Sequence, residues 1–139
     1  MTMALSAPLQ RGLYEQIAAA PELAQLAGRV FDDAPHAAQD AGEGAYVTLG
    51  DETVTPWNTA TERGAAHVVT IRVYAPVRGF LTVKEIAASL VGILADAPPV
   101  LSRGAVITHQ FVRAETRREE GGALRRIDLV FRFVIEDEA

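Results

Sequence analysis

Histidine is the side chain best suited to move protons near neutral pH, and it is the commonest metal ligand. This chain carries three, His36, His67 and His109. None stands in the H-x-x-x-H or H-x-H spacing that would set two rings on one face of a helix or strand. A metal site would therefore have to be assembled wholly by folding. Ser6, Ser89 and Ser102 lack the flanking glycines of a nucleophile elbow, and read as an N-cap, a helix position and a loop. The acidic neighbours Asp32–Asp33 and Asp51–Glu52 are of a type that binds divalent cations or does acid–base work. Adjacent residues on a strand point to opposite faces, however, so neither pair is placed to converge. The glycines at 42, 44, 121 and 122 match no phosphate loop or dinucleotide fingerprint and read as turns. Cysteine is absent, which removes disulfides, thiolate metal sites and thiol nucleophiles together. These residues predict no catalytic site, no cofactor and no metal.

The elements that would position them are easier to read. Leu9, Leu13 and Ile17 recur every fourth residue and predict a first helix, with Ser6 as N-cap and Pro8 tolerated in the first turn. Gly12 weakens that helix by about 1 kcal/mol relative to alanine. Pro21 ends it or restarts it as a short turn through Glu22–Leu26, with Gly28 as terminal punctuation. A short strand is expected over Arg29–Asp32, an exposed loop over 33–44, and a strand over Tyr46–Leu49. The stretch Asp51–Gly64 is too polar for a core and reads as a long loop, a class often functional. Ala66–Tyr74 alternates as a strand. Thr82 and Glu85 form a capping box, with Leu81 able to staple onto Ile86. The stripe Ile86, Leu90, Ile93, Leu94 marks a second helix, stopped by Pro98 and Pro99. Val106–Glu115 and Leu124–Ile135 are the last strands, joined by a charged tip over Thr116–Gly122. The order α-β-β-β-α-β-β predicts an α+β fold: a mixed, mostly antiparallel sheet with two helices packed on one face. No repeat or linker divides the chain, so one domain is expected over 1–139.

Length and charge narrow the functions further. A chain of 139 residues buries roughly two-thirds of its unfolded surface, enough for a genuine core. With 13 Lys and Arg against 18 Asp and Glu, the formal net charge is −5. That argues against a surface that grips nucleic acid, which needs cations to displace phosphate counterions. It is compatible with nucleic acid sliding past, because an acidic wall repels phosphate. No apolar run approaches the ~20 residues that span a bilayer, and no basic-then-apolar leader opens the sequence. A soluble, cytosolic product without membrane contact is expected.

Two features remain for function. Trp57, the single tryptophan, stands in the polar stretch behind Pro56. It either covers the edge of its own core or anchors a partner, since tryptophan is mostly buried yet also enriched at interface hot spots. The run Arg117-Arg118-Glu119-Glu120 is either a solvated tip or a docking contact.

Several segments in order resemble the tail-completion, or tail terminator, proteins of long-tailed phages, and most of all the gene transfer agent version. They are Pro-Glu-Leu-Ala-Gln-Leu at 21–26, Arg-Val-Phe-Asp at 29–32, Ala-Tyr-Val-Thr-Leu-Gly at 45–50, Thr-Pro-Trp-Asn-Thr at 55–59 and His-Val-Val-Thr-Ile-Arg-Val-Tyr at 67–74. The capped helix and the C-terminal hairpin complete the set. The resemblance implies a non-enzymatic subunit of a six-membered ring that caps the tail tube, halts its growth and joins it to a head-side connector. DNA would pass through the lumen. It makes Thr55, Pro56, Trp57 and Asn58 the leading contact residues, with Arg117, Arg118, Glu119 and Glu120 as a second set. Assembly in the bacterial cytoplasm and a place at the neck of a phage-like particle follow. Two rivals stay open: a small α+β enzyme using His67 or His109 with Asp32 or Asp51, and a ligand-binding module, which would need a preformed apolar pocket.

Overall fold

The computed structural model describes residues 2–32, 44–57, 64–76, 80–119 and 124–137. A 3-10 turn, Thr2–Leu5, leads into helix α1, Ser6–Ala19. A second 3-10 segment, Pro21–Leu26, follows the proline, as expected. Strand β1 is Val30–Phe31, β2 Tyr46–Trp57 and β3 Gly64–Pro76. Helix α2 covers Phe80–Asp96, and β4, Ala105–Glu119, precedes β5, Leu124–Glu136. The sheet order is β1-β2-β3-β5-β4. Among the described residues only the β1–β2 pair is parallel. The α+β architecture expected from the sequence is present.

Alternation along the strands sorts the sheet into two faces. Val69, Ile71 and Val73 of β3 pair with Phe131, Leu129 and Ile127 of β5, and all six join α1 and α2 in one hydrophobic cluster. The helices contribute Leu9, Leu13 and Ile17 from α1 and Val83, Ile86, Leu90 and Leu94 from α2. The α1 stripe is the one legible in the sequence; on α2, Ile86, Leu90 and Leu94 are buried as expected, Ile93 is only partly buried, and Val83 joins the core. Gly12 has a packing reason for its place: a Cβ there would lie 2.8 Å from the carbonyl oxygen of Val100. Glycine lets the backbone of α1 approach the 99–101 segment, and this offsets its poor helix propensity.

Three sequence expectations need correction. Ser6 opens α1 but does not cap it; Leu5 is the N-cap residue, and the Ser6 hydroxyl bonds Glu52 on β2 instead. Thr82 lies inside α2, which already starts at Phe80, and Leu81 is exposed rather than stapled onto buried Ile86. Tertiary contact at Phe80 takes precedence over the capping box: the ring packs beside Lys84, Arg118 and Arg125. The supposed loop from Asp51 is strand as far as Trp57, and β4 runs four residues past Glu115. Polar strand residues resemble loop when read singly; pairing with β3 and β5 supplies the backbone hydrogen bonds that hold them extended. The expected loop over 33–44 lies outside the described residues except for Gly44, and so does His36.

Candidate functional site: assembly surfaces

A register shift in β2 between Thr48 and Asp51 decides which face each following residue occupies. Two β2 residues, Leu49 and Gly50, oppose Ile71 alone, so the facing reverses beyond the bulge. Asp51 turns to the helix-free face, where its carboxylate meets Arg72 at 2.6 Å. Glu52 turns inward, where Ser6 donates to one oxygen and His67 Nδ1 lies 2.8 Å from the other. The divergence expected of Asp51 and Glu52 is realised, while Asp33 lies outside the described residues.

His67 is fully buried, and its Nε2 has no partner among the described residues. Burial raises the Glu52 carboxyl, but the hydrogen bonds from His67 and Ser6 outweigh that and hold it below its ordinary value. The result is a clasp tying the start of α1 across β2 to β3. His109 sits on β4, beside a cavity of about 130 Å3 lined also by Leu94, Ala95, Gln110, Phe111, Phe131 and Phe133. Asp32 accepts from Gln10 at 2.7 Å. The enzyme reading required His67 or His109 with Asp32 or Asp51; the structure pairs His67 with Glu52 and gives both aspartates other partners. No group of three or more potential metal ligands gathers among the described residues.

The Thr55–Trp57 segment occupies the far end of the β2–β3 hairpin. Thr55 pairs with Ala66, Pro56 with Ala65 and Trp57 with Gly64. Proline is tolerated there because β1 reaches only Val47 and Thr48, leaving β2 an edge strand at Pro56. Thr55 and Pro56 are exposed and Trp57 is half-buried. Its ring lies against its cross-strand neighbour: a Cβ on Gly64 would stand 2.9 Å from Trp57 Cε3. The indole thus rests on local backbone and stays outside the main core cluster. Asn58 lies outside the described residues.

The second candidate set sits at the far end of the β4–β5 hairpin. Arg117 pairs with Arg126, Arg118 with Arg125 and Glu119 with Leu124. Like charges directly opposite one another are unfavourable, and each arginine finds relief on its own face. On the helix-free face Arg117 meets Glu115 at 2.6 Å and Asp128 at 3.6 Å, while Arg126 meets Asp128 at 2.7 Å. Arg72 links this group to Asp51, so ion pairs cross β2, β3, β5 and β4. Arg113 and Arg117 hold the Glu115 carboxyl below its ordinary value. On the other face Arg118 and Arg125 lie 5.7 and 5.1 Å from the Phe80 ring centre, with Lys84 at 5.9 Å, a range in which ring quadrupoles attract cations. Arg117 and Arg118 are therefore strand residues; Glu119 ends the strand, and Glu120 lies outside the described residues. Sequence reading missed Glu115, Asp128 and Arg72 as members of this network. Their signal, alternate charged positions in neighbouring strands, needs the register to become visible.

The fold is a one-sided α+β sheet with an ionic outer face, and comparison with known proteins says which family it belongs to. A family model described as tail completion protein gp17 matches residues 11–136, and the chain belongs to that family. A chain in the solved virion of a native gene transfer agent particle is 39% identical, with a TM-score of 0.84, covering 96% of this chain and 98% of that one. The gp17 protein of bacteriophage SPP1 shares the fold at a TM-score of 0.58 and 16% identity, covering 96% and 94%. A search of curated proteins finds no match. Family membership makes this a structural tail-completion protein of a phage-like virion, not an enzyme.

Proposed function

We propose that the chain, acting as one domain over 1–139, is the subunit of a six-membered ring that ends the tail tube and joins it to the head-side connector. The observation that carries this is the 39% identity, spread over 96% of the chain, to a component of a gene transfer agent virion. The ring assembles in the bacterial cytoplasm and finishes at the neck of the particle. DNA passes through its lumen without sequence-specific binding, in keeping with a net charge of −5. Thr55, Pro56, Trp57 and Asn58 form one contact with a tail protein, and Arg117, Arg118, Glu119 and Glu120 form the other.

The test is incubation of purified subunit with tail tubes, read by electron microscopy and native mass measurement. Rings on tube ends are expected. Monomers alone, with bare tube ends, would remove the proposal. Trp57→Ala sharpens it: a half-buried indole on local backbone predicts a stability loss of about 1–2 kcal/mol, below the ~3–5 of a core aromatic, together with loss of tube binding. A core-sized loss with tube binding intact would return Trp57 to its own fold.

A further inference from the structure

A closed ring of identical subunits needs two different, complementary surfaces on opposite flanks of each copy. The described surface offers such a pair. Among the described residues, β4 ends the sheet on one side and its outer ladder is unpaired. It carries Ile107, Phe111 and Val112 at 41, 42 and 42% exposure. The cavity beside Phe111 gives that flank a socket for an apolar side chain. Arg113, Arg117 and Arg118 are exposed along the same strand. On the opposite flank, α1 packs beside β2 and meets the end of β1 through the Gln10–Asp32 hydrogen bond. There Met3 and Tyr14 are 60 and 45% exposed and line an open groove with Ser6, Ala7, Gln10 and Asp32. Asp32 is exposed here, and Arg11 also lines the groove.

The form of β4 says how the contact is made. Register shifts fall between Val106 and Thr108 and between Phe111 and Arg113, so the extra residues are Ile107 and Val112. Bulges twist an edge and interrupt its ladder, which blocks straight strand addition. Here the two bulge residues are also apolar and exposed. The edge is thus closed to open-ended backbone pairing while its side chains stay available for a specific contact.

We infer that the β4 edge of one copy docks on the α1–β1 flank of the next, Ile107, Phe111 and Val112 facing Met3 and Tyr14, and Arg113 facing Asp32. This rests on the ring reading. The absence of native cysteine gives a clean test. Val112→Cys and Tyr14→Cys are made singly and together, and treated with a short bismaleimide under conditions where the unmodified chain forms rings. The double variant is expected to give covalent oligomers up to the full ring, and an equal mixture of the two single variants to stop at dimers. Cross-linked dimers from Val112→Cys alone would reveal a two-fold contact between β4 edges and overturn the inference. So would rings of the double variant that remain uncross-linked. As a second measurement, Val112→Asp is expected to lower ring yield at least tenfold while the subunit melts normally; an unchanged yield overturns the inference. In either case rings of the unmodified chain leave the ring reading standing, whereas their absence removes both.

Discussion

The two faces of the same sheet are stabilised by different physics, although they are built from alternate residues of the same strands. On the helix-covered face, Ile127, Leu129, Phe131, Phe133 and Ile135 of β5 are buried beneath α1 and α2. Stability there comes from apolar area removed from water, at about 25 cal/mol per Å2. On the other face Val130 is also buried, lining a groove with Asp51 and Arg113, and the Asp128 ion pairs lie on the same face. Arginine stems cover apolar surface while their guanidinium groups stay at the water boundary. Each face also holds an intrusion of the opposite kind: the Ser6–Glu52–His67 clasp among the apolar residues, and Val130 with the stacked Tyr46–Tyr74 pair on the ionic side. The lesson is that long charged side chains fixed by mutual pairing can share a face with buried apolar ones. Such a face presents oriented charge at little cost in ordering.

The largest expected effect tests the apolar face. Phe133→Ala removes one of the largest fully buried side chains and should cost about 3–5 kcal/mol in denaturant unfolding. A loss below about 1 kcal/mol would mean the helices do not seal that face. Next comes Asp128→Ala. Asp128 is 8% exposed and lies against Arg72 and Arg126, with Arg117 nearby. Its removal leaves crowded cations, and a loss of about 2–3 kcal/mol is expected, below the full value for a buried pair because Arg117 is half-exposed. Asp128→Asn should recover part of it, and a neutral Asp128→Ala would show that the charge network does not hold this face.

The clasp gives a smaller, pH-dependent effect. The Glu52 carboxyl is held low in the folded state, so its contribution to stability is complete above its ordinary value of 4.5 and fades as the pH falls through the depressed one. Glu52→Gln should flatten that acid limb of the stability profile while adding a constant destabilisation at neutral pH. An unchanged acid limb would show the clasp to be absent in solution. Smallest of all is Arg113→Ala. Its partner Glu115 is solvated and keeps Arg117, so no measurable shift in melting midpoint is expected. A clear loss, removed by added salt, would mean that the whole network acts as one unit.

Much of the helix-covered face was legible beforehand. Leu9, Leu13 and Ile17, the stripe on α2 and the alternation in β5 are periodic patterns that burial alone enforces. The polar ends of β2 and β4 resemble loop in the sequence because exposed strands carry no apolar alternation. Thr55, Pro56 and Trp57 were singled out for type and setting, and their place at a hairpin end came only with the partner strand. The role of Gly64 under the indole leaves no sequence signature at all. The divergence of Asp51 and Glu52 was foreseen, but not which residue each would meet.

By itself the sequence determined the set of elements, the apolar side of each, the lack of thiol chemistry and the resemblance to tail-completion proteins, because these depend on residue type and local spacing. Tertiary structure decided the register. One extra residue in β2 sends Glu52 inward to His67 and Asp51 outward to Arg72, and two in β4 set Ile107 and Val112 on a free edge. A strand has a period of two, so a single inserted residue exchanges the faces of those that follow. That choice is settled only when strands distant in sequence pair.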